Sequence, residues 1–342
     1  MASQDMVADV CVIIVNYGTA DLALEAAASV LGQADRVRDI HIVDNASPRA
    51  SPETDGATDG ATDAEIIARA IAARGWGARV RLHAEKTNHG FGRGNNLVIR
   101  HLAAKASPPD KVFLLNPDAR LDTAALTILA QFLDDHPQAG AAGARIDKPG
   151  QGPVTAAFRF PGLISTFSDA VAFGPLARLC ARWQVPLAPD LATARVDWVS
   201  GAAVMFRMAA LRDAGLFDPE FFLYYEEVDL MRQLARKGWQ TWHVAEAHAI
   251  HAEGAATGVQ SGRPGRRRLP AYWYHSWQYY LRKNHGRPTA LLACLAWAGG
   301  AVLNHALSRL RGRDPAAPLH LFSDLWTHAL RPLLGLKAGS DV

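Results

Sequence analysis

The chain has 342 residues, of which 49% are hydrophobic and 20% are charged, and its formal net charge is +3. This composition is ordinary for a soluble globular protein, and the length allows one large domain or two smaller ones. The first residues carry acids and no basic cluster, so we expect no secretory signal. The cysteines are scattered, so we expect no disulfide framework and no zinc knuckle. These features predict a protein of the reducing cytoplasm.

Apolar strand patterns alternate with helix patterns in the first half of the chain. We predict strands over Val10–Tyr17, Ile40–Asp44, Arg79–His83 and Val112–Leu115. The helix after the first strand is expected to have Asp21 as its N-cap and to end before Gly32. A later helix is expected to open at Asn95, and another to be capped by Asp122. This alternation predicts parallel βαβ units, in which ligands bind at the carboxyl ends of the strands.

Polar residues stand at that edge after three of the predicted strands, as Asn16-Tyr17, Asp44-Asn45 and Asn116-Pro117-Asp118. A carboxylate placed there can accept hydrogen bonds from a nucleobase or ribose. It can also hold a hard divalent cation when a diphosphate supplies the other ligands. Each group taken alone is better explained as an ordinary turn. Their shared placement is what indicates a binding site.

Two segments between the strands have different expected roles. Residues 47–63 repeat Asp-Gly-Ala-Thr among Ser, Pro and Thr, which predicts a mobile loop. His89–Asn96 is glycine-rich and leads into a helix, where backbone amides suit a diphosphate or a ribose. It follows the third strand rather than the first, so it is not a dinucleotide-binding fingerprint.

Aromatic residues precede acids in Phe217–Asp229, at the start of a helix predicted to end near Gly238. Acids favour helix N-termini, which would explain Glu226 and Glu227 without any function. The aromatic residues favour a functional interpretation, because such side chains can contact sugar faces and desolvate a carboxylate. Desolvation raises the pKa of a carboxyl group towards that of a general base.

Charged residues further along have simpler candidate explanations. Asp229 is expected to form a helix-surface ion pair with Arg232 or Arg236. His251, at a predicted strand end, is a candidate nitrogen ligand for a metal held by Asp118. A lone histidine more often has a structural role, so the sequence alone favours a structural role for His251.

The C-terminal third is basic and aromatic. From residue 255 to residue 313 there are ten Lys or Arg residues and no Asp or Glu, which predicts an anionic partner such as a lipid surface. Tyr272–His285 interleaves aromatic and basic residues, and Thr289–Leu303 is mostly apolar but short for a membrane span. Two interpretations stay open, an amphipathic helix on a membrane surface or a helix packed on the rest of the protein.

In this order the motifs resemble family 2 glycosyltransferases of the GT-A fold, and most closely their rhamnosyltransferase-like branch. The resemblance is carried by VIIVNY (Val12–Tyr17), VDNAS (Val43–Ser47), NHGFGRGNN (Asn88–Asn96), FLLNPDARL (Phe113–Leu121), WVSGAAVMFR (Trp198–Arg207), GLFDPEFFLYYEEVDL (Gly215–Leu230), KGWQTWHV (Lys237–Val244) and HAEG (His251–Gly254). It implies an α/β fold with a GT-A-type, Rossmann-like, mostly parallel sheet and flanking helices. A helical, basic and aromatic C-terminal extension would be added to this fold.

The resemblance also implies a division of the chain. A catalytic domain would cover residues 1–255, with a nucleotide-binding half at 8–120 and an acceptor and catalytic half at 121–255. The extension at 256–342 is expected to attach the protein peripherally to an anionic membrane surface, on the inner face of the cell membrane.

Individual residues receive roles from the same resemblance. Asp44 would bind the nucleoside base, and Asp118 would bind a divalent metal, Mg²⁺ or Mn²⁺, with His251 completing the metal or diphosphate contacts. Glu227, or alternatively Glu226, would be the catalytic base. Further donor contacts are expected from Asn16, Tyr17, Asn45, Gly90, Gly92, Asn95 and Asn116, and acceptor contacts from Trp198, Ser200, Gly201 and Tyr225. Asn116 stands where the family often has Asp, which leaves fewer charged metal ligands.

The implied activity is the transfer of a sugar, with inversion, from a dTDP- or UDP-linked donor. Rhamnose is the candidate sugar that the resemblance suggests. The acceptor would be a glycan or a polyprenyl-diphosphate-linked glycan of cell-surface polysaccharide synthesis, and nucleic acid is not expected as a partner. A sugar nucleotidyltransferase would usually have a Gly- and Arg-rich phosphate loop after the first strand, and an NAD-dependent dehydrogenase a Gly-x-Gly-x-x-Gly turn. Neither motif is present. A non-catalytic glycan- or nucleic-acid-binding module would explain the basic tail but not the motifs upstream.

Overall fold

The computed structural model describes residues 10–33, 37–49, 60–122, 124–252 and 266–336. Residues 50–59, most of the predicted mobile loop, lie outside these ranges. So do residues 253–265, which include the predicted domain boundary and part of the HAEG motif. The described residues form a large mixed sheet with helices on both faces, and further C-terminal helices pack beside it.

The strands are β1 (Val10–Asn16), β2 (Val37–Asp44), β3 (Val80–Ala84), β4 (Lys111–Leu115), β5 (Ala119–Leu121), β6 (Ala139–Lys148), β7 (Gly152–Val154), β8 (Ala157–Phe158), β9 (Ala194–Val196), β10 (Trp198–Val199), β11 (Ala203–Arg207) and β12 (Gln240–His251). The main sheet has the order β3-β2-β1-β4-β11-β6-β12-β5. Strands β1, β2, β3 and β4 are mutually parallel, and β11 runs antiparallel between β4 and β6. Because β12 is parallel to β6, the carboxyl ends of β1, β2, β4 and β12 lie at one edge of the sheet.

The helices are α1 (Ala20–Leu31), α2 (Asp63–Ala73), α3 (Gly90–Ala103), α4 (Ala125–Asp135), α5 (Leu163–Val171), α6 (Gly174–Leu179), α7 (Met208–Ala214), α8 (Glu226–Arg236), α9 (Ala271–His285), α10 (Arg287–Leu310), α11 (Leu321–Leu325) and α12 (Arg331–Leu334). A 3₁₀ turn at Ala181–Trp183 and a π-helical turn at Trp326–Leu330 complete them. On one face of the sheet, α1, α2 and α4 pack against alternate residues of β1 such as Val12. On the other face, α3, α7 and α8 pack against residues such as Ile13. Burial on both faces explains why β1 is an unbroken apolar run.

Three helix starts differ from the predictions. In α1 the N-cap is Thr19, whose hydroxyl donates to the Asn16 side chain at 2.9 Å, and Asp21 lies in the first turn. Helix α3 begins at Gly90, five residues before the predicted start at Asn95, because close packing of the glycines stabilises a turn that helix propensity alone disfavours. Helix α4 begins after Ala124, two residues beyond Asp122, whose backbone N–H donates to His248 O at 3.1 Å in the link to β12.

The C-terminal helices share a core with the segment that precedes α8. Tyr274, Trp277 and Tyr280 of α9 are buried together with Phe221 and Val228. Helix α10 buries one face, and its other face is exposed to solvent. The interpretation of residues 289–303 as a packed helix is therefore confirmed for one face of α10.

Candidate active site

The strand ends bring the predicted polar residues to one edge of the sheet. Asn16 ends β1, Asp44 ends β2, Asn116 follows β4 and His251 ends β12. The segment before β11 reaches the same edge, where Asn116 N donates to Ala202 O at 2.9 Å. Residues that lie far apart in the sequence are thus close together in the fold.

A buried hydrogen-bond cluster surrounds Asp44. The Asn16 amide nitrogen donates to Asp44 Oδ1 at 3.0 Å and to Asp63 Oδ2 at 2.8 Å, and Ser47 Oγ donates to Asp44 Oδ1 at 2.5 Å. Ser47 Oγ in turn accepts the N–H of Gly18 at 2.9 Å. Asp63, the first residue of α2, was not predicted, because it lies in a stretch that reads as a loop. The cluster fixes the orientation of the Asp44 carboxylate.

Asn45 organises the turn that opens α3. Its side-chain oxygen accepts the His89 N–H at 2.9 Å, and its nitrogen donates to Asn88 Oδ1 at 2.9 Å and to Gly90 O at 3.1 Å. Asn45 is 2% exposed, and the hydrogen bonds of its side chain are made to other residues of the protein. A direct contact between Asn45 and the donor stays a prediction.

The glycines of α3 allow two chain segments to approach closely. Gly90 has φ +74°, and a Cβ atom there would lie 1.8 Å from Phe222 O; at Gly92 it would lie 3.0 Å from the Phe217 side chain. The Gly90 N–H already donates to Asn88 Oδ1, and the Phe91 N–H to Phe222 O at 3.2 Å. The close approach therefore explains both glycines, and diphosphate binding by Gly90 and Gly92 stays a prediction.

Two asparagines of α3 have contrasting environments. Asn96 holds the Phe217 backbone from both sides, donating to its carbonyl at 2.7 Å and accepting its N–H at 3.1 Å. Asn95 is 1% exposed, and its Oδ1 has no hydrogen-bond partner among the described residues. A buried amide oxygen without a partner is unusual, and it can accept a hydrogen bond from a ligand or from a water molecule.

The predicted metal residues meet at the sheet edge. His251 Nε2 lies 3.0 Å from Asp118 Oδ1 and 3.4 Å from the Asn116 amide nitrogen. Ala252 N donates to Asp118 O at 3.1 Å, which ties the end of β12 to this turn. One carboxylate and one imidazole fit a divalent cation whose remaining ligands come from a diphosphate and water. The donor set therefore fits the implied metal.

Tyr17, Ser200 and Gly201 are three further predicted contact residues. Tyr17 follows β1 and is 39% exposed. Ser200 N donates to Ala156 O at 2.9 Å, and Gly201 packs against the Phe91 ring. Neither Ser200 nor Gly201 lines the aromatic cavity described below, so their acceptor contacts stay predictions.

The segment before α8 has a strained backbone. Tyr224 and Tyr225 have φ angles of +68° and +69°, a left-handed conformation that costs a non-glycine residue on the order of 1 kcal/mol. Helix α9 holds it in place, because Ser276 Oγ donates to Leu223 O at 2.9 Å and the Tyr272 ring stacks near Tyr224. Adjacent strained residues immediately before two acids are typical of a functional site.

Glu226 and Glu227 are the first residues of α8, and each has an Oε2 atom without a partner among the described residues. Burial raises the pKa of Glu227 above its usual range. Burial, and then the charge of Glu227, also raise the pKa of Glu226 well above its usual range. Glu227 lines a cavity of about 420 Å³ with Trp198 and Tyr225, whereas Glu226 is 3% exposed and does not line it. The geometry therefore favours Glu227 as the group that meets a ligand.

The predicted ion pair of Asp229 with Arg232 or Arg236 is wrong. Asp229 Oδ2 instead contacts Lys283 Nζ at 2.6 Å, and its Oδ1 accepts from the Asn284 amide at 2.8 Å. Asp229 is 1% exposed, because α9 covers this side of α8. Sequence spacing within one helix could not reveal a partner 54 residues away.

A second group of metal-binding residue types lies towards the other end of β1 and β2. The ligand atoms of Cys11, Asp39 and His41 lie within 4.8 Å of one another. The Asp39 oxygens also contact Arg81 at 3.4 Å and Lys105 at 3.9 Å, which offsets their charge. Burial lowers the pKa of His41 to about 3, so its imidazole is neutral. The sequence alone indicated only an apolar strand here.

Comparisons with known proteins identify the family of the chain. The family model described as "Glycosyltransferase like family 2" matches residues 8–267. An N-acetylglucosaminyl-diphospho-decaprenol L-rhamnosyltransferase of Mycobacterium tuberculosis is 32% identical over 189 residues, which are 52% of this chain and 61% of that protein. Rhamnosyltransferase WbbL of Escherichia coli K12 is 23% identical over 165 residues, 48% of this chain and 61% of that protein. The matches thus span less than two thirds of either relative.

Solved structures support the fold. GalNAc-T7 with UDP, GalNAc and Mn²⁺ has a TM-score of 0.54 at 12% identity, covering 82% of this chain and 50% of that one. TarS 1-349 of S. aureus in complex with UDP-GlcNAc has a TM-score of 0.51 at 14% identity, covering 95% and 80%. At such identities the likeness shows the fold alone, and it confirms the predicted α/β class.

Proposed function

The chain belongs to the glycosyltransferase-like family 2, and from this premise we propose that it moves a sugar from a nucleoside-diphosphate donor to a polyprenyl-diphosphate-linked glycan. The names of both relatives support rhamnose as the sugar, and the name of the Mycobacterium tuberculosis relative supports diphosphoprenol-linked N-acetylglucosamine as the acceptor. The observation that carries the proposal is Glu227, which lines an aromatic cavity and whose Oε2 atom is buried with no hydrogen-bond partner among the described residues.

The proposed reaction is a single displacement with inversion. A hydroxyl oxygen of the acceptor attacks the anomeric carbon from the face opposite the nucleoside diphosphate. The new glycosidic bond forms as the bond to the diphosphate oxygen breaks, and the nucleoside diphosphate leaves with the electron pair. Glu227 accepts the hydroxyl proton.

The pair of acids suits that proton transfer. Glu226 is 3% exposed and lies beside Glu227, so in the proposal the proton stays on Glu226 and Glu227, which lines the cavity, is the ionised member of the pair. The raised pKa of Glu227 makes it a stronger base than an exposed carboxylate. Glu226 thus has a supporting role in the proposal, and Glu227 the catalytic one.

Asp118 and His251 are the proposed ligands of a divalent cation, Mg²⁺ or Mn²⁺. Their 3.0 Å contact places a carboxylate oxygen and an imidazole nitrogen side by side at the end of the parallel strands. When bound, such a cation offsets the negative charge of the departing diphosphate. Asp44, held by Asn16 and Ser47, is the proposed contact to the nucleoside.

Helix α10 supports a peripheral membrane location. By length and composition it could cross a membrane, but 33% of its most apolar window is buried within the protein. Its exposed face is a stripe that includes Leu292, Leu295 and Val302, and it ends at exposed arginines such as Arg311. An apolar stripe beside basic residues suits a helix lying in an anionic lipid surface. Other basic residues of this region are used internally, such as Arg268, which pairs with Asp324.

A transfer assay tests the proposal. The purified full chain, Mn²⁺, dTDP-rhamnose and N-acetylglucosaminyl-diphosphoprenol should yield a product heavier by one deoxyhexose, with the inverted anomeric configuration by NMR. Replacing dTDP-rhamnose by UDP-linked and GDP-linked sugars identifies the donor if the sugar is another one. No transfer from any of these donors would contradict the proposal.

A further inference from the structure

The cavity beside Glu227 is built by three parts of the chain. Helix α5 contributes Ser165, Thr166 and Asp169, and the segment around Glu227 contributes its tyrosines. The C-terminal helices contribute indole rings, Trp273 and Trp277 of α9 and Trp297 of α10. The cavity therefore has a polar wall on α5 and an aromatic wall on the C-terminal helices.

The polar wall is fixed by close helix packing. A Cβ atom at Gly300 of α10 would lie 2.7 Å from Ala170 Cβ and 3.0 Å from Phe167 O, so only glycine allows α5 to approach so closely. The buried Asn304 amide of α10 also donates to Val171 O at 3.0 Å. These contacts hold Asp169 at the cavity, and they depend on the C-terminal extension.

The Asp169 carboxylate is not used within the described part of the chain, where no ion pair or hydrogen bond to it is found. Asp169 lines the cavity but is exposed to solvent, and the partial desolvation of its carboxylate there raises its pKa. Burial also raises the pKa of Tyr225, and the charges of Glu227 and Asp169 add to that increase. The charges of Glu227 and Asp169 therefore both reach Tyr225, and all three residues line one cavity.

A carboxylate opposite aromatic rings is a suitable sugar site. The two oxygens of a carboxylate accept hydrogen bonds from neighbouring hydroxyl groups, and indole rings pack against the apolar face of a pyranose. The indoles form one cluster, since the Trp297 ring centroid lies 4.9 Å from that of Trp277 and 5.3 Å from that of Trp273. A volume of about 420 Å³ lies within the range of small-ligand sites.

We propose that Asp169 binds two ring hydroxyls of the acceptor sugar, while the C-terminal tryptophans cover its apolar face. The inference rests on the proposed transferase function and deepens it, because it names a specificity residue outside the motifs that carry the family resemblance. It also gives the C-terminal extension a role in acceptor choice beyond membrane attachment.

The test compares acceptors that differ by one hydroxyl. Wild type and Asp169→Ala are assayed with N-acetylglucosaminyl-diphosphoprenol and with its monodeoxy analogues. We expect the variant to raise the acceptor KM at least tenfold, with the dissociation constant for dTDP unchanged. We also expect the wild type to discriminate at least tenfold against one analogue that keeps the attacking hydroxyl, and the variant to lose that discrimination. Asp135→Asn, on α4 at the far side of the sheet, is the matched control.

The outcomes separate this inference from the proposed function. If the wild type transfers sugar and Asp169→Ala keeps both the acceptor KM and the discrimination, the role of Asp169 is wrong and the transferase proposal stands. If the wild type neither transfers sugar nor binds a nucleoside diphosphate, both proposals are wrong. Asp169→Glu should recover part of the discrimination, which a merely structural role for the side chain would not produce.

Discussion

Asp118 and His251 are 133 residues apart in the chain, yet Asp118 Oδ1 and His251 Nε2 lie 3.0 Å apart. The contact exists because β12 runs parallel to β4, with β11 and β6 between them, so that both side chains reach the carboxyl edge of the sheet. Proximity of a carboxylate and an imidazole is the geometric requirement for a shared cation. This contact links the turn after β4 to the end of β12.

Glu227→Gln and Glu226→Gln should have different effects on turnover. We expect Glu227→Gln to lower kcat by about 10²–10⁴, because the amide cannot accept the hydroxyl proton. Glu226→Gln should lower kcat by less than about tenfold. A protonated Glu226 is already neutral and, like the glutamine amide, it can donate a hydrogen bond. Steady-state assays at saturating donor give both values. Equal losses in the two variants would remove the distinction between them.

The buried acids should make stability depend on pH. The pKa of Glu226 is higher in the folded than in the unfolded protein, so the folded state holds a proton that the unfolded state releases. This contribution is fully present below the unfolded pKa and is lost as pH rises through the folded pKa. Glu226→Gln should therefore reduce the fall in unfolding free energy as pH rises above the usual range of a glutamate carboxyl, measured by urea unfolding. An unchanged pH dependence would contradict the assignment.

Gly90→Ala should disturb both stability and activity. The added Cβ would lie 1.8 Å from Phe222 O, and the φ of +74° is unfavourable for alanine. We expect a loss of about 2 kcal/mol or more in unfolding free energy and a lower kcat, since Phe222 is two residues from the strained Tyr224. Gly77→Ala is the control, because no atom lies within 4 Å of its added Cβ. It should change stability by about 0.5 kcal/mol or less.

Membrane attachment should depend on the exposed stripe of α10. Leu295 is 59% exposed and Val302 is 58% exposed, so glutamates there would leave the core intact and oppose insertion into an anionic surface. We expect the double variant Leu295→Glu with Val302→Glu to lose cosedimentation with phosphatidylglycerol vesicles. Ala68→Glu, on the exposed face of α2, adds the same kind of charge away from α10 and should still bind. A wild-type protein that does not cosediment with the vesicles would contradict the membrane proposal.

The sequence predicted the parts of the site that depend on strand ends. Runs such as Val112–Leu115 mark buried strands, and the polar residues after them share an edge whatever the details of packing. Partners that depend on tertiary packing were not predictable. Lys283 reaches Asp229 only because α9 covers α8, and no local rule relates the two.

Short helices and glycines are further cases in which tertiary packing decides a role that the sequence does not reveal. Asp169 is a single acid on a nine-residue helix without a motif, and its position depends on Gly300 of α10. The glycines of α3 predicted an anion-binding turn, and the sequence did not reveal that they also let Phe217 and Phe222 come close. Composition identifies where the backbone must be permissive, and only the packing identifies the neighbour that requires it.

A titration tests the central claim, that this site binds a nucleoside diphosphate through a cation held by Asp118. Calorimetry of the full chain with dTDP, UDP, GDP and CMP would be run with Mn²⁺ and again with EDTA, for wild type and for Asp118→Asn. The proposal predicts that one nucleoside diphosphate binds wild type in Mn²⁺, and that EDTA or Asp118→Asn weakens this binding at least about tenfold. Binding that is equal in all of these conditions would contradict the metal site, and no binding at all would contradict the transferase.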